Sequence, residues 1–177
     1  MKKLIVISGK QYSGKDTVAK LLLGELKSFK RIGIGDAIKI MYGKQNGLTY
    51  DEIEADKATH RTGLIELGDW GRRQDPDFWL NVILDMKEDT IVPDLRLEHE
   101  LDVFKENNAY MIRVEASLEA RKTRGVITNE NDLTEIALDN YGAWNYKIDN
   151  SFDYPALQEN IKPLVEDIKK YFNDKFC

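Results

Sequence analysis

Leu4-Ile5-Val6-Ile7-Ser8-Gly9-Lys10-Gln11-Tyr12-Ser13-Gly14-Lys15-Asp16-Thr17 is the stretch on which the reading of this chain turns. Its first half is a short β-branched run, the pattern of a strand buried on both faces in a parallel sheet. From Lys15 onward the period changes, with Val18, Leu21, Leu22 and Leu26 recurring at helical spacing. Between strand and helix, Gly9, Gly14 and Lys15 stand in the order G-x-x-x-x-G-K of a phosphate-binding loop. Glycines there allow the positive φ values that turn successive backbone N–H groups inward as an anion nest. The following helix adds the positive end of its dipole, and the Lys15 ammonium is expected to reach the β- and γ-phosphates of a nucleotide. The position after the lysine normally carries a Ser or Thr hydroxyl for Mg²⁺. Here it is Asp16, followed by Thr17; a carboxylate is also a hard oxygen donor and suits the same ion.

Outward from this loop, the order of patterns is that of an α/β sheet with helices on both faces. Residues 30–35 read as a short strand, with a helical stretch from Asp36, a loop over Gly43 to Tyr50, and polar helices from about Asp51 and from Asp77 to Met86. Asp75-Pro76 marks a turn. Thr90 to Asp94 reads as a second buried strand, and Leu97, Leu101 and Phe104 as one helix face. Ala109 to Ala116 is a third strand, Ser117 to Arg124 a short helix, Asp132-x-x-Glu135 a capping box, and Trp144 to Ile148 a further strand. Leu157, Ile161, Leu164, Val165, Ile168 and Phe172 share one face of a final helix, which Pro163 should kink or begin. The whole of 1–177 is expected to form one domain.

Composition narrows the functional class. With 177 residues, no run near the roughly 20 apolar residues of a membrane span, and no signal-like start at Met1-Lys2-Lys3, a cytoplasmic protein without membrane partners is expected. The single cysteine, Cys177, excludes intrachain disulfides and Cys-based zinc sites. A net charge of −5 argues against coating a nucleic-acid polymer, yet permits a local basic cleft for a small anion. Oligomeric state, monomer or homodimer, is left open.

Several groups could carry chemistry beside the loop. Asp94 closes a buried strand, where a parallel sheet opens to its ligand crevice; it reads as a metal-water ligand, a partner for Arg96, or a helix N-cap. Arg121 and Arg124 follow the third strand and suit a closing flap that brings positive charge to a migrating phosphoryl group. Arg61, Arg72 and Arg73 bracket a helical stretch with Trp70; arginine forks suit an acceptor phosphate, and an aromatic could stack on a base. Trp79 and Phe78 read as core. Asp36 could take a proton from a hydroxyl acceptor, or merely orient a phosphate acceptor. His60 and His99 lack metal-ligand spacing.

The segments SGKQYSGKDT, LGDWGRRQDPDFW, VPDLR, RKTRG and TEIALD followed by YKIDN resemble, in order, the phage-type deoxynucleoside monophosphate kinases. The animal phosphomevalonate kinases are similar in the GKD loop, the R…DP segment and the aspartate-x-arginine strand end. The resemblance implies the P-loop kinase fold: a central parallel sheet flanked by helices, an acceptor-binding helical region at about 36–88, and a short lid at about 117–131. By position it implies that Gly9, Gly14, Lys15, Asp16 and Thr17 hold ATP phosphates; Ser13 of the loop is expected beside them, and Asp16, Thr17 and Asp94 are the oxygen groups expected toward Mg²⁺. Asp36, Arg61, Arg72 and Arg96 would meet the acceptor, Arg121 and Arg124 would be lid arginines, and Asp149 would lie near the adenine. The expected activity is ATP- and Mg²⁺-dependent phosphorylation of a (deoxy)nucleoside monophosphate. Phosphomevalonate or dephospho-coenzyme A is the alternative acceptor, and a nucleotide-binding regulatory protein with little turnover is the alternative class.

Overall fold

Leu4–Ser8 forms β1, and every residue of it is buried, as expected of a strand at the centre of a sheet. The computed structural model describes residues 2–128 and 130–176. Cys177 and Met1, on which two of the sequence readings rest, lie outside them, as does Asn129 in the expected lid. The chain divides into two compact units, Met1–Arg31 with Glu88–Cys177, and Ile32–Lys87.

The first unit holds the sheet. Its strands β1, β2 (Lys30–Arg31), β3 (Thr90–Leu95), β4 (Tyr110–Glu115) and β5 (Tyr146–Asp149) are all parallel, in the order β2-β3-β1-β4-β5. Helix α1 (Lys15–Glu25) leads from β1 out beyond β3, whereas the connection after β3 crosses to β4 on the other side of β1. Connections that leave neighbouring strands in opposite directions open a crevice at their carboxyl ends. The residues after β1 and those at the end of β3 meet there. Ile5, Ile7, Val18 and Leu22 join Leu157, Ile161, Leu164, Val165, Ile168 and Phe172 of the C-terminal helix in one buried cluster.

That C-terminal helix runs Tyr154–Phe176, with Pro163 inside it. The proline is therefore not the start of the helix; it is exposed while its neighbours Ile161, Leu164 and Val165 are buried. The carbonyl that loses its N–H partner therefore faces water, and the apolar face holds the helix together.

The second unit is helical in its described residues: α2 (Ile34–Asn46), α3 (Tyr50–Ala55), α4 (Lys57–Gln74) and α5 (Phe78–Leu84). Two sequence readings are corrected here. The strand expected over 30–35 stops at Arg31, and helix begins at Ile34. The loop expected from Gly43 shrinks to three residues. Gly43 lies inside α2 because the chain must pass close to it; a Cβ there would stand 2.5 Å from the Leu48 carbonyl. Gly47 ends the helix at φ 69, and Thr49 caps α3 by a reciprocal box with Glu52. Among the described residues no helix is long and apolar enough to cross a membrane. The remaining helices, α6 (Glu98–Glu106), α7 (Leu118–Arg124), α8 (Leu133–Ile136) and α9 (the C-terminal helix), belong to the first unit.

Candidate active site

The loop of residues 9–14 is shaped by close approach as much as by backbone freedom. A Cβ on Gly9 would stand 2.4 Å from the Val114 carbonyl and 2.5 Å from Ser13 Oγ; on Gly14 (φ 96) it would stand 2.2 Å from Asn150 Nδ2. Only glycine fits either place. Ser13 N–H donates to the Lys10 carbonyl at 3.0 Å and closes the turn, while Ser13 Oγ is buried with no hydrogen-bond partner. An orphaned buried hydroxyl costs free energy unless a ligand completes it, so a hydrogen-bonding ligand such as phosphate suits this loop.

Lys15 opens α1 and is buried. Its Nζ donates to the Gly9 carbonyl at 2.6 Å and to the Lys10 carbonyl at 3.0 Å. Burial, and then the charge of Arg96, push its pKa down to about 8, with Glu135 and Asp16 opposing. The ammonium is thus poised for an anion. Beside it opens a cleft of about 430 Å³, lined by Lys15, Asp16, Thr17, Asp94, Arg96 and Arg124 among others. Asp16, whose side chain is 78% exposed, pairs with Arg31 at 2.9 Å. Two carboxylates and a hydroxyl on one cleft beside a phosphate loop suit Mg²⁺, which is bound through few protein oxygens plus substrate phosphates. Among the described residues no cluster of three or more His, Cys, Asp or Glu offers an all-protein metal site. The N-cap reading of Asp94 is corrected: Leu97 is the N-cap of α6, and Glu100 Oε2 accepts from the Arg96 and Leu97 amides.

Arg121 and Arg124, on α7, grip the loop from outside. Arg124 donates from Nη1 to the Tyr12 and Ser13 carbonyls (3.3 and 3.4 Å) and from Nη2 to those of Asn150 and Phe152 (2.6 and 3.4 Å). Arg121, which is buried whereas Arg124 is exposed, makes one contact to the loop, to the Gln11 carbonyl at 3.4 Å, and faces Glu130 at 3.7 Å. Asn150 Nδ2 donates to the Ser13 carbonyl at 2.8 Å. Asp149 accepts from the amide and hydroxyl of Ser151 and lines a second cleft, of about 530 Å³, with Lys10, Arg113 and Arg121.

Sequence reasoning missed the residues that tie this loop to its surroundings. Asp132 caps α8 through the Thr134 amide, but Glu135 does not complete the expected capping box. It accepts instead from the Gln11 amide at 2.7 Å and from Arg96 Nη1 at 2.6 Å. Arg113, inside β4, donates to Ser8 Oγ and to Asp139, which also pairs with Lys10 at 2.6 Å. An arginine within an apolar strand is a visible signal. Trp144 lies outside β5, against Tyr141 and Arg113.

Asp36, Arg61 and Arg72 belong to the second unit. Burial pushes the Asp36 carboxyl up, but bonds from the Gly33 amide, Lys39 and Tyr50 outweigh it and hold the pKa below the usual range. Its Oδ2 thus holds the start of α2, and its Oδ1 accepts from Lys39 and Tyr50. Arg72 pairs with Asp69 at 2.7 Å, and Arg61 is exposed. Trp79 is core, its Nε1 donating to the Gly68 carbonyl, whereas Trp70 is 41% exposed.

The sequence model of the family described as phosphomevalonate kinase matches residues 7–110, more than half of the chain. Among solved structures, a gluconokinase from Sinorhizobium meliloti 1021 is similar at TM-score 0.56 and 16% identity, over 99% of this chain and 98% of that one. A shikimate kinase from Bacteroides thetaiotaomicron reaches 0.55 at 14% identity, over 94% and 98%. A shikimate kinase from Aquifex aeolicus vf5 reaches 0.51 at 20% identity, over 92% and 95%. The fold is theirs.

Proposed function

Since the chain belongs to the phosphomevalonate kinase family, we propose that it transfers the γ-phosphoryl group of ATP to a small acceptor that already bears a phosphate. The observation that carries this reading is the loop itself: a buried Lys15 on a cleft that also holds Asp16, Asp94 and Arg96, and a buried, unpartnered Ser13 hydroxyl in the same loop, where it lines the second cleft with Lys10 and Arg121. Phosphoryl transfer asks for positioning and positive charge, without a covalent enzyme intermediate. Lys15 and the loop amides bind and orient the ATP phosphates, while Arg124 and Asn150 hold the loop in shape. Arg121 supplies charge near the migrating group. Asp16, Thr17 and Asp94 are the oxygen donors for Mg²⁺, which when bound neutralises phosphate charge. Arg96 takes the acceptor phosphate; Arg72 and Arg61, on α4, are the further arginines proposed for the acceptor, and Asp36, bonded at the start of α2, is not a base. A phosphate acceptor needs none.

A deoxynucleoside monophosphate is the acceptor proposed, because exposed Trp70 on the arginine-bearing helix offers a face for a base. Phosphomevalonate is the second reading, favoured by the family match. A thermal-shift screen of dAMP, dGMP, dTMP, dCMP, phosphomevalonate and dephospho-coenzyme A, each with Mg²⁺ and an ATP analogue, separates them, since a bound ligand raises apparent stability by mass action. Stabilisation by one deoxynucleotide supports the first reading. Response to phosphomevalonate alone promotes the second, and response to none rejects a phosphate acceptor.

A further inference from the structure

The segment from Glu135 to Asp139 meets the phosphate loop at two successive residues, through two carboxylates one helical turn apart. Glu135 joins the Gln11 amide to Arg96, at 2.7 and 2.6 Å. Asp139 joins Lys10 to Arg113, at 2.6 and 2.9 Å. Each carboxylate thus links one loop residue to one arginine, Arg96 just past β3 and Arg113 within β4. Lys15, Arg96 and Arg113 are like charges close enough to depress the lysine's proton affinity. Interleaved carboxylates are what allow such a set to stay together.

We infer that Glu135 is a positioning residue for the transfer reaction, holding Arg96 in register with the phosphate loop. The inference rests on the proposed role of Arg96 at the acceptor phosphate. Its geometry is that of a built arrangement. The Glu135 side chain is only 8% exposed, so it is itself held. Arg96 is fixed at its backbone by Glu100 and at its guanidinium by Glu135. That bond uses one Nη1 donor of a five-donor fork and leaves the rest for phosphate oxygens. Because the other oxygen of Glu135 is bonded to the Gln11 amide, the loop and the arginine share a single anchor. Movement of either is felt by the other. Gln11 extends the link: its carbonyl accepts from Arg121 and its Oε1 from the Thr128 amide.

The test is a double-mutant cycle of Glu135→Ala and Arg96→Ala in the full chain, with dTMP and with phosphomevalonate as acceptors. Acceptor affinity is read by calorimetry and acceptor KM by ADP release, with ATP affinity measured alongside. Glu135→Ala is expected to weaken acceptor affinity and raise acceptor KM about tenfold and, because the Gln11 amide loses its acceptor, to weaken ATP binding by a smaller factor of about threefold. In the Arg96→Ala background it should add almost nothing to the loss of acceptor affinity. Glu135→Gln, which keeps an acceptor for the Gln11 amide, should recover part of the loss, and it carries the test if the alanine variant folds poorly. Additive effects, or unchanged acceptor affinity in both variants, overturn the inference. Wild-type protein that binds an acceptor without turning it over would sink the kinase reading, while the calorimetric cycle still decides the coupling.

Discussion

Lys15 Nζ donates a 2.6 Å hydrogen bond to the carbonyl of Gly9, the residue that begins its own loop. The lysine is folded onto the backbone it must leave, at least partly, to reach phosphate. Burial and the charge of Arg96 hold its pKa at about 8, below the ordinary 10.5. The groups facing it are Arg96 and Arg113 on one side of the balance and Glu135 and Asp16 on the other.

A pH dependence follows. Bound phosphates favour the ammonium, so binding takes up a proton once the free lysine has lost its own. ATP affinity is expected to be flat below pH 8 and to fall by up to about tenfold per pH unit above it. Lys15→Met should bind weakly with no such slope. For stability the sign is opposite: the unfolded chain binds more protons between pH 8 and 10.5, so the cost of burying Lys15 fades as pH rises. Lys15→Met should therefore be at least as stable as wild type at pH 7. Urea denaturation and calorimetry across pH check both statements, and an equal slope in the methionine variant contradicts them.

Arg124 and Arg121 should separate kinetically. Arg124 spends its donors on two carbonyls of the loop, Tyr12 and Ser13, and on two of the segment beside it, Asn150 and Phe152, so Arg124→Ala should weaken ATP binding and lower kcat together. Arg121 holds the loop by a single 3.4 Å contact and is freer to follow charge. Arg121→Ala should cost roughly 10²-fold in kcat with little change in ATP affinity. ATP titration beside steady-state rates decides, and identical profiles for the two variants would refute the division.

Gly125 is backed by the Tyr12 ring, with a Cβ there standing 2.3 Å from two ring carbons. Its φ of 171 is ordinary extended backbone, so the demand is purely for space. Gly125→Ala should cost about 1–3 kcal/mol by overpacking. Adding Tyr12→Gly should return most of it, because that residue also sits at φ 59, where glycine is at ease. Denaturant midpoints of the single and double variants test the pairing.

Asp16→Ser should retain Mg²⁺-dependent turnover, since a hydroxyl at that position is also a hard oxygen donor. It also releases Arg31 from its 2.9 Å partner, at a surface where such a pair is worth little. A rate measured against Mg²⁺ concentration is the check, and total inactivation with intact ATP affinity would assign the carboxylate another task.

The strand, loop and first helix were legible because period and spacing are local: four apolar residues, two glycines, a lysine, then a 3.6-residue repeat. The apolar face of α9 was legible for the same reason, and its tolerance of Pro163 was not, since that depends on which side faces water. Gly43 was misread as loop because a glycine chosen for close approach looks like one chosen for a turn. Glu135 was hidden more deeply. Its position three after Asp132 satisfies a local rule, yet its carboxylate is used on Gln11 and Arg96, 124 and 39 residues away. Contacts of that range leave no periodic trace.

The central claim is tested most directly by following labelled γ-phosphate from ATP, with Mg²⁺, into dAMP, dGMP, dTMP, dCMP, phosphomevalonate or free nucleosides, for wild type and Lys15→Met. The account predicts label in the product of a phosphate-bearing acceptor with the wild type, a loss of transfer with Lys15→Met, and little label in free nucleosides. Label released only as inorganic phosphate, transfer to free nucleosides in preference to every phosphorylated acceptor, or transfer by Lys15→Met at the wild-type rate would contradict it.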